Sequence, residues 1–161
     1  MEARRDTHYR ECEDNGERRI SGSGKHTHLR VLTIQIKQVR TIQALLCTYK
    51  THESHLKDIH LSASWMSLGQ LARQSTKRGW LQDSSEAMGS LVKHTMQAAR
   101  TGDIGAREIA NIAYGAARSS EGKQMGVLFV ALASAAAEWR MTDFNSQNLA
   151  NTAWAFATAG H

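Results

Sequence analysis

The side chains best suited to bind a ligand are basic residues concentrated in the middle third of the chain. Residues 28–80 contain two acidic residues and eight basic ones: Arg30, Lys37, Arg40, Lys50, Lys57, Arg73, Lys77 and Arg78. Clustered lysine and arginine attract polyanions, because each phosphate contact releases condensed counterions. The segment therefore predicts a polyanion-binding surface; the alternative is the solvated face of an ordinary basic protein.

Amide side chains supply a second kind of chemistry. Asn111 and Asn151 lie at the border between the apolar arc and the polar side of their predicted helices. An amide can satisfy backbone groups of a neighbouring helix, or it can contact the edge of a nucleobase. Both possibilities stay open, and Arg107 and Asn148 are further candidates for base or ribose contacts.

Patterns for catalysis, nucleotide binding and metal binding fail on spacing. The segment 52–55 is HESH, one residue short of H-E-x-x-H, so its two imidazoles would not lie one helical turn apart. The segment 21–25 is SGSGK, which lacks the first glycine and the final Ser or Thr of a P-loop. We therefore predict no enzyme activity, no bound metal and no cofactor.

The composition favours a helical chain without membrane spans. The 161 residues include no proline, a residue that suits turns and edge strands but breaks helix interiors. No stretch approaches the roughly 18 apolar residues of a membrane-spanning helix, so no membrane partner is expected. Residues 1–27 contain almost no large apolar side chains and are predicted to be a disordered polar tail without a clear targeting peptide.

Apolar periodicity predicts about six helices in the remaining residues, 28–161. They are expected at 31–49, 58–73, 84–100, 105–118, 122–140 and 145–159. Asp58 is expected to cap the second helix, and Asp83 begins a capping box for the third. Gly79, Gly102 and Gly160 are expected to end the second, third and last helices.

An internal repeat is the most specific pattern in the chain. The segment 103–117, DIGAREIANIAYGAA, matches the segment 143–157, DFNSQNLANTAWAFA. Two helices per period of about 40 residues indicate stacked helical hairpins. The predicted fold is an all-α solenoid, divided into a degenerate repeat at 58–101, a repeat at 102–141 and a partial repeat at 142–161.

One aromatic residue recurs at a matching position of each repeat: Tyr114, Trp154 and, in the degenerate copy, Trp65. We expect these rings to fill core space between small residues. The apolar arc of the last helix holds Leu149, Ala150, Ala153, Trp154, Phe156 and Ala157, while Asn148, Asn151, Thr152 and Thr158 face away. Part of this arc, at Leu149, Ala153 and Phe156, is expected to lack half of its cover. Either the chain is a fragment of a longer array, or this end associates with another chain, for example by self-association through the last helix.

The repeat segments resemble a family of degenerate helical repeats found in organellar RNA proteins. The resemblance is carried by REIANIAYGAARS (107–119), LANTAWAFATAG (149–160) and HLSASWMSLGQLARQ (60–74), and it covers about 58–161. Members of the family are octotricopeptide-like arrays, the repeats associated with RAP domains in FAST-kinase-like proteins, and the RNA-editing substrate-binding complex subunit six-like domain. The resemblance implies an α-solenoid that binds RNA, or scaffolds RNA-processing complexes, in mitochondria or plastids. The proline-rich signature of octotricopeptide repeats is absent, and these residues include no RAP-like domain whose nuclease activity could be carried over.

The sequence thus predicts an RNA-binding or RNA-processing accessory module. Its expected partners are single-stranded RNA and proteins of an RNA-processing complex. The alternative is a protein-interaction scaffold that docks partner helices without direct RNA contact, favoured because acidic residues slightly outnumber basic ones in 81–161. Convergence of the eight basic residues on one groove would favour RNA binding, and their scatter would favour the scaffold.

Overall fold

The described part of the chain is built from helices. The structure, a computed structural model, describes residues 25–74, 85–119, 124–138 and 141–161. Every regular element in these ranges is helical, which confirms the predicted all-α class. Its α-helices are α1 (Lys25–Gln38), α2 (Ile42–His52), α3 (Asp58–Gln74), α4 (Ser85–Thr101), α5 (Ala106–Ser119), α6 (Gln124–Glu138) and α7 (Ser146–Ala159). Short 3-10 helices span Glu53–His55 and Met141–Asp143.

The predicted helix at 31–49 is wrong, because two helices occupy this region. The first helix ends at Gln38, the Thr41 backbone is extended, and the Thr41 hydroxyl accepts a hydrogen bond from the Ala44 N–H at 3.1 Å. This N-cap satisfies an amide that would otherwise have no partner in the first turn of α2. The helix count in the described ranges is therefore seven rather than six.

Other boundaries near the N-terminal end also differ from expectation. The chain is already helical at Lys25, inside the predicted tail. Residues 1–24 lie outside the described part, as do the predicted helix end at Gly79 and the capping box at Asp83. The helix signals in these segments stay predictions.

The start of α3 is organised by a buried histidine rather than by Asp58. The Lys57 carbonyl accepts the first helical hydrogen bonds, from the N–H groups of His60 and Leu61, so Asp58 is the first helical residue and not the cap. The Lys57 N–H donates to His60 Nδ1 at 3.0 Å, and the other ring nitrogen, Nε2, lies 3.0 Å from the Leu29 carbonyl oxygen. Since Nδ1 accepts, Nε2 carries the proton and donates to α1. His60 thereby joins the first turn of α3 to α1.

Helices that alternate along the chain pack against one another. Helix α3 contacts α1 and α5, and α5 contacts α7; we call these four helices the first layer. Helix α4 contacts α2 and α6, and these three helices form the second layer. Contacts of α2 with α3 and of α5 with α6 join the two layers.

Large apolar side chains fill the core of this arrangement. Trp65, Tyr49, Phe129, Ile109 and Leu128 are fully buried and come from both layers. The Trp65 indole N–H donates to the Thr95 hydroxyl at 2.9 Å, and Thr95 is itself fully buried. This bond links α3 to α4 across the two layers and satisfies a polar group that would be costly to bury alone.

The closest approach of two helices occurs between α3 and α5, at Gly69 and Gly115. A Cβ atom added to Gly69 would lie 2.6 Å from the Gly115 carbonyl oxygen. A Cβ atom added to Gly115 would overlap the Trp65 carbonyl group of α3. Further towards the N-terminal ends, Asn111 Nδ2 donates to Ser62 Oγ at 3.3 Å, so the two helices run parallel.

Two predicted helix ends are confirmed. Gly102 and Gly160 follow α4 and α7 with φ angles of 76° and 79°, a left-handed conformation that glycine adopts without steric cost. The Asp103 N–H donates to the Ala98 carbonyl at 3.0 Å, and the His161 N–H donates to the Phe156 carbonyl at 3.0 Å. Both helices thus end with the hydrogen bond of a Schellman motif.

The close contact of α3 and α5 predicts that Gly115→Ala destabilises the fold. The new methyl group meets backbone atoms of Trp65, which cannot rotate away. We expect a loss of about 3 kcal/mol in the free energy of unfolding, the upper end for overpacking, measured by chemical denaturation.

Gly89→Ala, in α4, is the matched control. A Cβ atom added to Gly89 would meet no atom within 4 Å apart from the backbone of its own helix. It should stabilise the chain by about 0.5–1 kcal/mol, through helix propensity alone. Equal stabilities of the two variants would contradict the close approach of α3 and α5.

Candidate functional site

The basic residues predicted from the middle third are divided among several elements. Arg30, Lys37, Arg40, Lys50, Lys57 and Arg73 are all exposed, whereas Lys77 and Arg78 lie outside the described residues. Arg30 and Lys57 lie near the start of α1 and of α3, while Lys37 and Arg73 lie near the ends of the same helices. Lys50 belongs to the second layer. By the spatial criterion given above, this scatter favours a scaffold over a phosphate-binding groove made by residues 28–80.

Lys50 is already engaged in a network between α2 and α4. Its ammonium group lies 3.0 Å from the Glu53 carboxylate and 3.0 Å from the Ser90 hydroxyl. The Tyr49 hydroxyl donates to the same carboxylate at 3.0 Å and lies 3.3 Å from His94 Nδ1. The hydrogen bond from Lys50 lowers the pKa of Glu53, and burial raises the pKa of Tyr49 well above its usual range. Both pKa shifts arise where α2 contacts α4, so this network has a structural role within the second layer.

A different surface brings aromatic and basic side chains together. The helices α3 and α5 are covered by neighbours of their own layer on two sides and by the second layer on a third. The remaining side, with its counterpart on α7, carries three residues per helix at a common spacing of seven and then four positions, and in α3 a fourth residue, Arg73, follows three positions later. We call it the open face; it consists of Ile59, Met66, Gln70 and Arg73 of α3, Arg107, Tyr114 and Arg118 of α5, and Gln147, Trp154 and Thr158 of α7.

Three residues of the open face form a continuous row. The rings of Tyr114 and Trp154 lie 4.9 Å apart between centroids, tilted by 45°. The Arg118 guanidinium lies 5.2 Å from the centre of the Tyr114 ring, and its Nη1 donates to the Tyr114 hydroxyl at 2.9 Å. Trp154 is 45 % exposed, so one side of the row is open to solvent. We call Arg118, Tyr114 and Trp154 the aromatic row.

The expectation that the repeated aromatic residues fill the core is wrong for Trp154. Tyr114 is half-buried and Trp154 is exposed, whereas Trp65 is fully buried against α4. Trp65 therefore does not occupy the position of Tyr114 and Trp154 in its helix. One feature of the sequence indicated that the face of Tyr114 is not purely apolar: Arg118 follows Tyr114 by one helical turn, so the two side chains lie on the same face of α5.

The amide residues have different environments. Asn111 is half-buried and donates to the Ser62 hydroxyl of α3, a contact within the protein that uses a side chain rather than the expected backbone groups. Asn151 is also half-buried. The expectation that Asn148 faces away from the protein is wrong: it is only 8 % exposed. The sequence predicts that the apolar arc of α7 faces the core. In the structure α7 instead packs on α5 through the more polar side that carries Asn148 and Asn151.

The open face has the chemistry of a stacking surface for flat, negatively charged ligands. Its ionisable groups at neutral pH are three guanidinium groups, those of Arg73, Arg107 and Arg118, and its ten residues include no acidic one. Arg30 lies beside it, in an apolar groove between α1 and α3 that Ile59 also lines. Exposed aromatic rings stack on nucleobases, and guanidinium groups bind phosphate or stack on bases.

The described residues contain no group of three His, Cys, Asp or Glu side chains placed to hold a metal ion. Their helices are also too short or too polar to cross a membrane. The open face is therefore the strongest candidate site in this part of the chain.

The different positions of the two tryptophans predict different effects on stability. Trp65→Ala removes a fully buried side chain together with its hydrogen bond to Thr95, and should cost about 3–5 kcal/mol. Trp154→Ala removes a half-exposed side chain and should cost about 1 kcal/mol. Chemical denaturation of both variants measures the difference; equal losses would contradict the exposure of Trp154.

Comparisons of the chain with family models, with curated proteins and with solved structures gave no match. The resemblance to organellar helical repeats therefore rests on the quoted residues of 58–161 and stays a prediction. The function is inferred from the geometry of the open face.

Proposed function

We propose that this chain is an accessory module of RNA metabolism that binds single-stranded RNA across its open face. The observation that carries the proposal is the aromatic row, in which an exposed indole lies beside a tyrosine ring that also contacts a guanidinium group. Stacking on an aromatic side chain contributes about 1–3 kcal/mol per nucleobase. The row therefore offers more binding energy than a scatter of surface lysines.

The proposed architecture is an α-solenoid of stacked helical hairpins with a period near 40 residues. Its support is the contact pattern, in which each helix of a layer packs on the next helix of the same layer. Tyr114 and Trp154, which match each other in the repeat, are direct neighbours across α5 and α7. Stacking of equivalent helices produces such contacts between equivalent side chains.

A repeat of this kind suits a single-stranded ligand. Helical-repeat proteins can present one base-binding position per repeat, so that successive bases meet successive helices. In this chain Tyr114 and Trp154 would be two such positions. Arg107, in the first turn of α5, and Arg118, in its last turn, would bind the phosphates that flank a stacked base.

The predicted site residues enter the proposal unequally. Arg30, Arg73 and Arg107 lie on or beside the open face and are assigned phosphate contacts. Asn151 is half-buried on the side of α7 that packs on α5, so no RNA contact is assigned to it. Asn111 and Lys50 have partners within the protein, and the buried Asn148 is left out. Mitochondria or plastids are the proposed location, on the resemblance alone.

The alternative function, a protein-interaction scaffold, also has an observation in its favour. Leu149 of α7 is 40 % exposed beside exposed alanines, an apolar surface that RNA would not need. This surface and the open face lie on different sides of α7. Binding of RNA and binding of a protein can therefore be tested separately.

The proposal predicts that Trp154→Ala weakens binding of a short single-stranded RNA by about tenfold or more, the value of one lost stacking contact. Fluorescence anisotropy of a labelled oligonucleotide measures the dissociation constant. Val130→Ala is the matched control, because Val130 is also an exposed apolar residue but lies on α6 in the second layer. It should bind as the wild-type chain does.

The salt dependence of the same titration tests the phosphate contacts. Between about 50 and 200 mM salt, the logarithm of the binding constant should fall with a slope near −0.7 per phosphate neutralised. Arg107→Ala should make the slope less steep by about 0.7, whereas Lys37→Ala should change it less. Absence of binding at the low-salt end would contradict direct RNA binding and leave the scaffold.

A further inference from the structure

The open face continues into the apolar groove between α1 and α3, which we call the α1–α3 groove. Its walls are Leu29, Arg30, Thr33 and Ile34 of α1 and Ile59 of α3, the last of which also belongs to the open face. Its volume of about 580 Å³ falls in the range of about 300–1,000 Å³ typical of small-molecule sites. Ile34 and Ile59 are 52 % and 48 % exposed. A flat ligand of the size of a nucleobase can therefore enter from solvent.

The two helices that form the groove are held together by one carbonyl group. The Leu29 carbonyl accepts a hydrogen bond from the Thr33 hydroxyl at 2.9 Å within α1. His60 Nε2 of α3 donates to the same carbonyl at 3.0 Å, and His60 is fully buried. The relative position of α1 and α3 is therefore fixed beside the groove, so a ligand would bind without the cost of ordering its walls.

Basic side chains surround the groove. Arg30 lines it, and Arg107 is the residue of α5 that matches Ile59 of α3. Lys57, two residues before Ile59, is also exposed. Asp58 precedes Ile59 by one position and so lies about 100° away around α3. An apolar groove with cations at its rim suits a ligand that joins a flat, weakly polar ring to a negative charge, as a nucleotide does.

The position of the groove distinguishes it from an uncovered edge of the layer. It lies between two helices that already contact each other, on the side that they share with the open face. A further helix stacked on α1 would extend the layer and leave this side uncovered. Residues 1–24 contain only three large apolar residues, Met1, Tyr9 and Ile20, which is a poor composition for filling an apolar groove. Continuity with the open face therefore favours the ligand proposed for that face.

We propose that the α1–α3 groove binds a second nucleobase of the RNA strand whose other base stacks on the aromatic row. The inference rests on the proposed function and gives the strand a path across the first layer, from the start of α3 to Trp154 of α7. The base lies against Ile34 and Ile59, and Arg30 binds the phosphate beside it. Because the groove wall is apolar, the hydrogen-bonding edge of the base stays in water. Binding in the groove therefore depends little on base identity.

The separation of the two base sites sets the length of RNA that can occupy both. The first layer runs α1, α3, α5, α7, so two and a half helix spacings of about 8–10 Å separate the groove from α7. Trp154 matches Met66 of α3, which lies seven residues beyond Ile59, about 10 Å along the helix axis. The two sites are therefore roughly 25 Å apart. At about 3.4 Å per stacked nucleotide, and about twice that in an extended strand, roughly four to seven nucleotide steps join them.

The dependence of affinity on strand length tests this path. Uridine oligonucleotides of three to ten nucleotides are titrated with the full chain at about 0.15 M salt, and fluorescence anisotropy gives the dissociation constants. We expect the affinity to rise by about tenfold or more between three and eight nucleotides, because the second base then binds from the same strand. Longer strands should gain little more.

Ile34→Asp tests the groove itself. The new carboxylate would lie in the groove, one helical turn from Arg30, where it would pair with the guanidinium and repel the strand. The Debye length at this salt is about 8 Å, so the charge does not act on the aromatic row. The dissociation constant of the ten-nucleotide strand should rise by about tenfold. Val130→Asp is the matched control, since Val130 is a β-branched residue of α6, 61 % exposed, in the second layer. It should bind as the wild-type chain does.

Cross-linking shows whether a base enters the groove. A single 4-thiouridine, moved along the ten-nucleotide strand, should cross-link to α1 from one position and to α7 from another at least about four nucleotides away. A strand that does not bind the wild-type chain, or that binds Trp154→Ala equally well, contradicts the proposed function, and the groove site falls with it. Binding that requires Trp154 but is unchanged in Ile34→Asp overturns the groove site alone. Cross-links to α7 without any to α1 have the same consequence.

Discussion

The contact of α3 with α5 through Gly69 and Gly115 is the constraint on which the first layer depends. Because neither glycine has a Cβ atom, backbone meets backbone, and the carbonyl group of Trp65 lies directly against Gly115. This short separation brings Asn111 within hydrogen-bonding distance of Ser62 and places Trp65 where its indole reaches Thr95 of the second layer. Larger side chains at the two glycines would separate the helices and lose these bonds together.

Small residues at the helix contacts leave the larger side chains to the remaining surface. In α5 the alanines and the glycine lie against neighbours, whereas Arg107, Tyr114 and Arg118 share the side that none of the described helices covers. The aromatic row follows from this division, since stacking of α7 on α5 brings Trp154 beside Tyr114. The same geometry that packs the layer therefore aligns aromatic and guanidinium groups on one surface, which is the arrangement that binds a single-stranded polyanion.

Trp154 and Ala153 are neighbours in sequence, but they lie about 100° apart around α7. The open face and the exposed apolar side of α7 at Leu149 are therefore different surfaces, and a ligand on one would not contact the side chains of the other. The scatter of the middle-third lysines and arginines is compatible with this arrangement, because the phosphate contacts come from a few arginines of the open face.

The sequence by itself determined the helical class, most helix bounds and the sequence match between the segments that form α5 and α7. These depend on local chemistry: the absence of proline, the periodicity of apolar residues and the left-handed glycines at 102 and 160. It also showed which residues share a side of each helix. Tertiary structure alone decided which side is covered. Asn148 is buried and Trp154 exposed because α7 packs on α5 through its amide and alanine side, in the manner of α5 on α3. Helix geometry fixes the angle between two side chains around the helix axis. Which of them is buried depends on where the neighbouring helices pack. Close packing of two helices favours small residues over large apolar ones at the contact.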